Sequence, residues 1–134
     1  MHKGFLKTAS ILAALTVMAG AFAAHALKGK IGDHALTTFE TAVRYQFYHV
    51  IALFLTAIVY KDFAYSTVKW AGILFIIGII LFSGSLYVLA VKQAMVSPGF
   101  LWVGPITPFG GFAFILGWIL LALSFFRRNK TSAI

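Results

Sequence analysis

Four long apolar segments, separated by short polar or turn-forming stretches, constrain this chain more than any other feature of its sequence. They cover residues 8–27, 41–60, 68–91 and 108–126. A hydrocarbon core about 30 Å thick requires roughly 20 residues of α-helix, and each segment has that length. An open strand would leave its backbone groups unpaired in lipid. The pattern therefore predicts an all-α integral membrane protein with four transmembrane helices in an antiparallel bundle.

The composition agrees with this prediction. Of the 134 residues, 61% are hydrophobic and 10% are charged, and the mean hydropathy is +0.95. A soluble domain carries about 25% charged residues, so the composition is typical of a membrane protein, and the length suits one domain. Thr37 and Glu40 have the spacing of a capping box, which starts the second helix ahead of its apolar segment. We therefore predict a single transmembrane domain over residues 1–134, with helices at about 8–27, 37–60, 68–91 and 108–126.

The first segment has a second interpretation, as a cleavable signal peptide. Lys3 and Lys7 precede an apolar run, and Ala21-Phe22-Ala23 is similar to a signal-peptidase site. The apolar stretch continues to Leu27, however, which favours a retained helix.

The charged residues predict the orientation. Four crossings place both termini on one side, together with seven basic residues: Lys3, Lys7, Lys61, Lys69, Arg127, Arg128 and Lys130. The other side has four, which are Lys28, Lys30, Arg44 and Lys92, offset by Asp33 and Glu40. The positive-inside rule then predicts cytoplasmic N- and C-termini in a bacterial-type plasma (inner) membrane.

The net charge of +8 also bears on partners. The basic residues lie at segment ends, where they meet lipid headgroups, and form no basic patch interleaved with aromatic residues. We expect the lipid bilayer as partner and no nucleic acid.

Polar residues gather in the half of the predicted bundle that lies away from the termini. This outer group consists of His25, Tyr45, Gln46, His49, Ser83, Ser85, Tyr87 and Thr107. At about 100° per residue, Tyr45 and His49 face the bundle, while the bulky side with Phe47 and Val50 faces lipid. Ser85 points away from the face that Tyr87 occupies. Polar groups inside a membrane are costly, so these eight residues are candidates for a ligand site. Interhelical hydrogen bonding is the alternative use for them.

Four strings support a family resemblance: GAFAAH at 20–25, YQFYH at 45–49, FSGSLY at 82–87 and GPITPFGG at 104–111. Together they resemble the domain-of-unknown-function 423 family, small membrane proteins that include the YwdK- and YgdD-like proteins of bacteria. The resemblance covers nearly the whole chain and implies a four-helix membrane protein. It brings no activity or cofactor. Ala23 departs from the family pattern, which usually has glycine there.

Several functions remain open at this level. We expect a non-enzymatic binding or carrier protein for a lipid or small polar solute, without cofactor or metal. A scaffold that packs against partner proteins or a second copy is the main alternative. An enzyme using Ser83 or Ser85 with His49 or His25 is a weaker one, because no Asp or Glu is evident to orient the imidazole. A metal site built from His25, His34 and His49 is a further alternative, although no two of these histidines have helical i, i+4 spacing. A proton-coupled exporter is disfavoured because no Asp or Glu falls within the four apolar segments.

Overall fold

Four helices account for nearly all of the chain that the structure covers. The structure is a computed structural model, and it describes residues 1–63, 66–95 and 103–126. The helices are α1 (Lys3–Leu27), α2 (Asp33–Val59), α3 (Ser66–Ala94) and α4 (Ile106–Phe126), and each is long and apolar enough to span a membrane. Across these described ranges there is no β-strand. The all-α, four-helix membrane architecture is confirmed.

Every helix begins earlier in the structure than the apolar segments predict. α2 starts at Asp33 rather than Thr37, with Gly32 as N-cap and no side-chain cap. The carboxylate of Asp33 in the first turn favours this earlier start, because it lies near the positive end of the helix dipole. α4 includes Pro108, whose missing N–H falls within the first turn, where that group has no partner inside the helix. Hydropathy finds the lipid-spanning part of a helix, and polar first turns extend beyond it.

Two parts of the sequence prediction lie outside the described residues. One is the connection between the third and fourth helices at 96–102. The other is the C-terminal basic group with Arg127, Arg128 and Lys130.

The helices pack in an order that makes α2 and α3 the centre. α3 and α4 form the most extensive pair, α2 contacts both α1 and α3, and α1 lies mainly against α2. We call the end of the bundle where α1 begins and α4 ends the near end, and the opposite end the far end. The main core lies between the near end and the middle. Its buried residues include Ala9, Leu53, Ala57, Val68, Phe75, Phe114 and Leu121.

α1 contacts α3 near one end, shares a buried cluster with it towards the other, and separates from it in between. At the near end the Phe5 ring lies directly on Gly72 of α3, where a β-carbon would overlap the ring. Towards the far end, Ala23 of α1, Phe39 of α2 and Ala90 of α3 form a second buried cluster. The two contacts leave a gap between α1 and α3 at the level of the bilayer interior.

Both α1 and α3 contain a π-helical turn, a local widening that accommodates one extra residue. In α1 it covers Ala23–Leu27, and in α3 it covers Ile79–Ser83. These turns partly overlap the GAFAAH string at 20–25 and the FSGSLY string at 82–87. The second turn changes the direction in which the following residues of α3 point, so that Ser85 faces α4 and Tyr87 faces α2. The predicted opposition of these two side chains is present.

The predicted faces of α2 need two corrections. Val50, expected against lipid, is 1% exposed and packs in the main core. Tyr45, expected inside, is 40% exposed. Because α2 is in contact with helices on two sides, its buried surface is wider than one stripe and is rotated towards Val50.

Candidate functional site

The eight predicted site residues do not form one cluster in the structure. Three separate contacts hold six of them: Tyr45 with His49, Gln46 with Tyr87, and Ser85 with Thr107. Ser83 is fully buried elsewhere in α3, and His25 is exposed on α1. A ligand site requires that at least one of these contacts leaves a polar atom without a bond inside the protein.

His49 has both ring nitrogens occupied by the protein. Nδ1 lies 2.8 Å from the carbonyl oxygen of Tyr45, and Nε2 accepts a hydrogen bond from the Trp118 indole at 3.3 Å. The ring stacks on Phe114 with centroids 3.4 Å apart. These bonds require the neutral tautomer protonated on Nδ1. His49 therefore joins α2 to α4 and has no ring nitrogen left for a ligand.

The Ser85–Thr107 pair joins α3 to α4 at the far end. The two hydroxyl oxygens are 2.6 Å apart, and Ser85 also donates to the carbonyl of Phe82 at 2.9 Å. Close by, Gly110 lets the two backbones touch, since a β-carbon there would overlap the backbone nitrogen and Cα of Phe82. The contact holds α3 against α4, and most of the hydrogen-bonding capacity of the two hydroxyls is used within the protein.

Gln46 is the exception among the predicted residues. Its Oε1 accepts a hydrogen bond from the Tyr87 hydroxyl at 2.9 Å, which joins α2 to α3. Its Nε2 has two protons and makes no hydrogen bond within the part of the chain that the structure describes. This nitrogen is not among the fully buried atoms that lack a partner there, so a small group can reach it. The residue is 6% exposed. An amide donor is thus held in an apolar setting by a bond that fixes its orientation.

Gln46 lines a cleft between α1 and α3. The cleft has a volume of about 510 Å³. Aliphatic and aromatic side chains make up most of its wall, and Gln46 and Tyr87 are its polar members. Its lining is Leu12, Leu15, Ala19, Phe39, Gln46, Ile79, Ile80, Gly84 and Tyr87. The cleft corresponds to the gap between the two α1–α3 contacts, and Ile80 at its edge is 64% exposed, so it opens sideways towards lipid.

The Ser83 hydroxyl is buried without a partner at the end of the π-helical turn. It lines neither this cleft nor a second, smaller hollow between α3 and the start of α4. No contact in the structure connects it with a ligand site.

The described residues bring together neither the side chains that the enzyme hypothesis requires nor those that the metal hypothesis requires. Within the described ranges no serine hydroxyl is hydrogen-bonded to a histidine, and Ser85 and His49 bond to other groups. Over the same residues no three His, Cys, Asp or Glu side chains gather closely enough to hold a metal ion. His34, one of the three candidate ligands, has its Nε2 3.1 Å from the Gln93 amide.

Sequence reasoning named Gln46 and Tyr87 as candidates but did not predict the cleft that they line. Its walls come from Leu12, Leu15 and Ala19 of α1 and from Ile79 of α3. In a membrane protein such residues look the same whether they face lipid, core or cavity. The signal that was available is Gly84, a glycine within the polar FSGSLY string.

Comparison with known proteins gives a consistent family assignment. The model of the family described as "Protein of unknown function (DUF423)" matches residues 19–111. A UPF0382 membrane protein of Staphylococcus aureus (strain bovine RF122 / ET3-1) is 43% identical over 125 residues, covering 93% of this chain and 97% of the relative. The UPF0382 membrane protein YwdK of Bacillus subtilis (strain 168) is 42% identical over 123 residues, covering 91% and 95%. No solved structure matches the chain.

Proposed function

Since this chain belongs to the DUF423 family of small bacterial membrane proteins, whose description assigns no activity, we propose its role from the site itself. The protein binds an anionic, ester-linked membrane lipid in the α1–α3 cleft and does not transform it. Of the two ligand classes expected from the sequence, a lipid suits the cleft better than a small polar solute, because the walls are almost entirely apolar.

The observation that carries this proposal is the Gln46 amide. An amide donor without a partner in hydrocarbon costs several kcal/mol, so a site that retains one is suited to a ligand that supplies an acceptor. A charged acceptor would itself be costly at this depth. An ester carbonyl is uncharged and enters the cleft together with the acyl chain to which it is attached.

Charge at the far end supports an anionic headgroup. Lys28, Lys30, Arg44 and Lys92 lie on this side against Asp33 and Glu40, which gives four positive charges minus two negative, a net +2. Basic side chains at a membrane surface attract anionic lipids. A lipid whose chain lies in the cleft places its headgroup towards this end.

The location proposed is the plasma (inner) membrane with both termini in the cytoplasm. The excess of basic residues on the terminal side supports it. In that orientation the far end is outside, and the cleft takes lipid from the outer leaflet.

Native mass spectrometry of the detergent-purified protein tests the function. We expect wild type to retain phosphatidylglycerol at one per chain, in preference to phosphatidylcholine. Gln46→Leu keeps the bulk and removes the donor, so retention should fall about three- to tenfold, the worth of one hydrogen bond.

Trp118→Phe is the matched control for Gln46→Leu. It also removes one interhelical hydrogen bond, the one to His49, but outside the cleft. Its lipid retention should equal that of wild type. Equal losses in both variants, or bare wild-type protein with a stoichiometric protein partner, would replace lipid binding with a structural or scaffold role.

A further inference from the structure

A second hollow lies on the other side of α3, between that helix and the start of α4. Its volume is about 290 Å³. Its wall consists of Ile80, Leu81, Gly84, Ser85, Val88, Val103 and Ile106. Val88 is 44% exposed, so this hollow also opens towards lipid.

The cleft and the hollow meet at Ile80 and Gly84, which line both. Gly84 follows directly after the π-helical turn, and a β-carbon added there would meet nothing within 4 Å. Because glycine has no side chain, the lipid-facing surface of α3 is indented at this position. Two apolar depressions flank one helix and share its residues Ile80 and Gly84.

We propose that the lipid straddles α3 at Gly84, with one acyl chain in the α1–α3 cleft and the other in the α3–α4 hollow. This inference rests on the proposed function and narrows its ligand to lipids with two chains. The ester next to the first chain bonds to Gln46, and the point where the two chains join crosses α3 where it has no side chain.

The arrangement follows from the covalent structure of a diacyl lipid. Its chains begin on neighbouring carbons of one backbone, so they can occupy two adjacent depressions only if the barrier between them is low. Along α3, Ile80 to Val88 covers about 12 Å at about 1.5 Å per residue. An extended stretch of acyl chain can lie along that length on either side. Ser85, whose hydroxyl bonds to Phe82 and Thr107, presents no spare donor to the second chain.

Three substitutions separate the two chain sites. Ala19→Leu fills the cleft alone, Val88→Phe fills the hollow alone, and Gly84→Leu fills the place where they join. Ala122→Leu adds the same bulk as Ala19→Leu at an exposed position of α4 that lines neither depression, and serves as control. Retention of phosphatidylglycerol and of its single-chain lyso form is measured by native mass spectrometry for each protein.

All three substitutions should lower retention of the two-chain lipid about tenfold, the change produced by about 1.4 kcal/mol. For the lyso form we expect a loss with Ala19→Leu and Gly84→Leu and none with Val88→Phe. Gly84→Leu should also raise thermal stability, because leucine favours helix more than glycine and has open space here. A protein that is more stable yet binds less lipid cannot be explained by misfolding.

Two results would overturn the straddling geometry. One is unchanged phosphatidylglycerol retention in Val88→Phe while Gln46→Leu still loses it, which leaves the proposed function intact with a single chain bound. The other is equal sensitivity of the one-chain and two-chain lipids to Val88→Phe. Absence of lipid from wild type would instead refute the proposed function itself.

Discussion

Two glycines, one in α3 and one in α4, have opposite surroundings. Gly110 lies where α4 touches the backbone of α3 at Phe82, and Gly84 lies beside empty space. Both belong to strings that resemble the family pattern. At the level of single residues, one glycine therefore permits helix packing, and the other leaves room that a ligand can use.

We expect Gly110→Ala to destabilise the protein and Gly84→Ala to stabilise it. The methyl at Gly110 forces the α3 and α4 backbones apart, at a cost of about 1–3 kcal/mol. The methyl at Gly84 meets no atom and removes the helix penalty of glycine, a gain of about 0.5–1 kcal/mol. Thermal unfolding in detergent, followed by circular dichroism, measures both. A stable Gly110→Ala protein would contradict the close backbone contact at Phe82.

Single residues also show what sequence could reveal about the site. Gln46 and Tyr87 were predictable because polar groups stand out against an apolar segment. Sequence did not predict how Gln46 and His49 differ. Gln46 keeps a donor unpaired, whereas both ring nitrogens of His49 are bonded. The difference depends on Trp118, an aromatic residue 69 positions away. Helical periodicity within one segment contains no information on such a partner.

Among the helices, α3 shows most clearly which structural features a hydropathy pattern does not predict. Its existence follows from length and hydropathy alone. Its π-helical turn at Ile79–Ser83 does not, because one extra residue in an apolar segment leaves hydropathy unchanged. That turn sets the directions in which Ser85 and Tyr87 bond to α4 and α2.

Deleting Ile80 tests the geometry of this turn. The side chain is 64% exposed, so its removal takes little from the core. The turn accommodates one extra residue, so the deletion converts it to regular α-helix and leaves the near and far parts of α3 in their present relative orientation. Ser85 and Tyr87 then still meet Thr107 and Gln46. The melting temperature should stay close to that of Ile80→Ala, the matched control that keeps the residue count. A melting temperature far below that of the control would contradict a turn with a single extra residue.

For the whole molecule, the sequence predicted four membrane-spanning helices but not the spaces between them. Each helix has enough apolar length by itself, whereas a cleft depends on where two helices separate. α1 and α3 meet at Phe5–Gly72 and again in the cluster of Ala23, Phe39 and Ala90, and the opening lies between these two places. Their positions depend on tertiary packing, which no single apolar segment encodes.

The chain has no cysteine, so its orientation can be measured directly. In intact bacteria, a membrane-impermeant maleimide should label Lys30→Cys at the far end and leave Lys61→Cys at the near end unlabelled. Both should be labelled after the cells are broken. The reverse pattern in intact cells would contradict cytoplasmic termini and move the cleft to the inner leaflet.

The central claim, that the Gln46 amide donates to a bound lipid, can be tested at that atom. Gln46 and Gln93 are the only glutamines in the chain, so side-chain ¹⁵N labelling of glutamine gives two amide signals, which Gln93→Asn assigns. We predict that phosphatidylglycerol shifts the Gln46 signal saturably and in the direction of a new hydrogen bond. Phosphatidylcholine should shift it less. A Gln46 signal that does not move while the lipid binds would show that the cleft does not hold it.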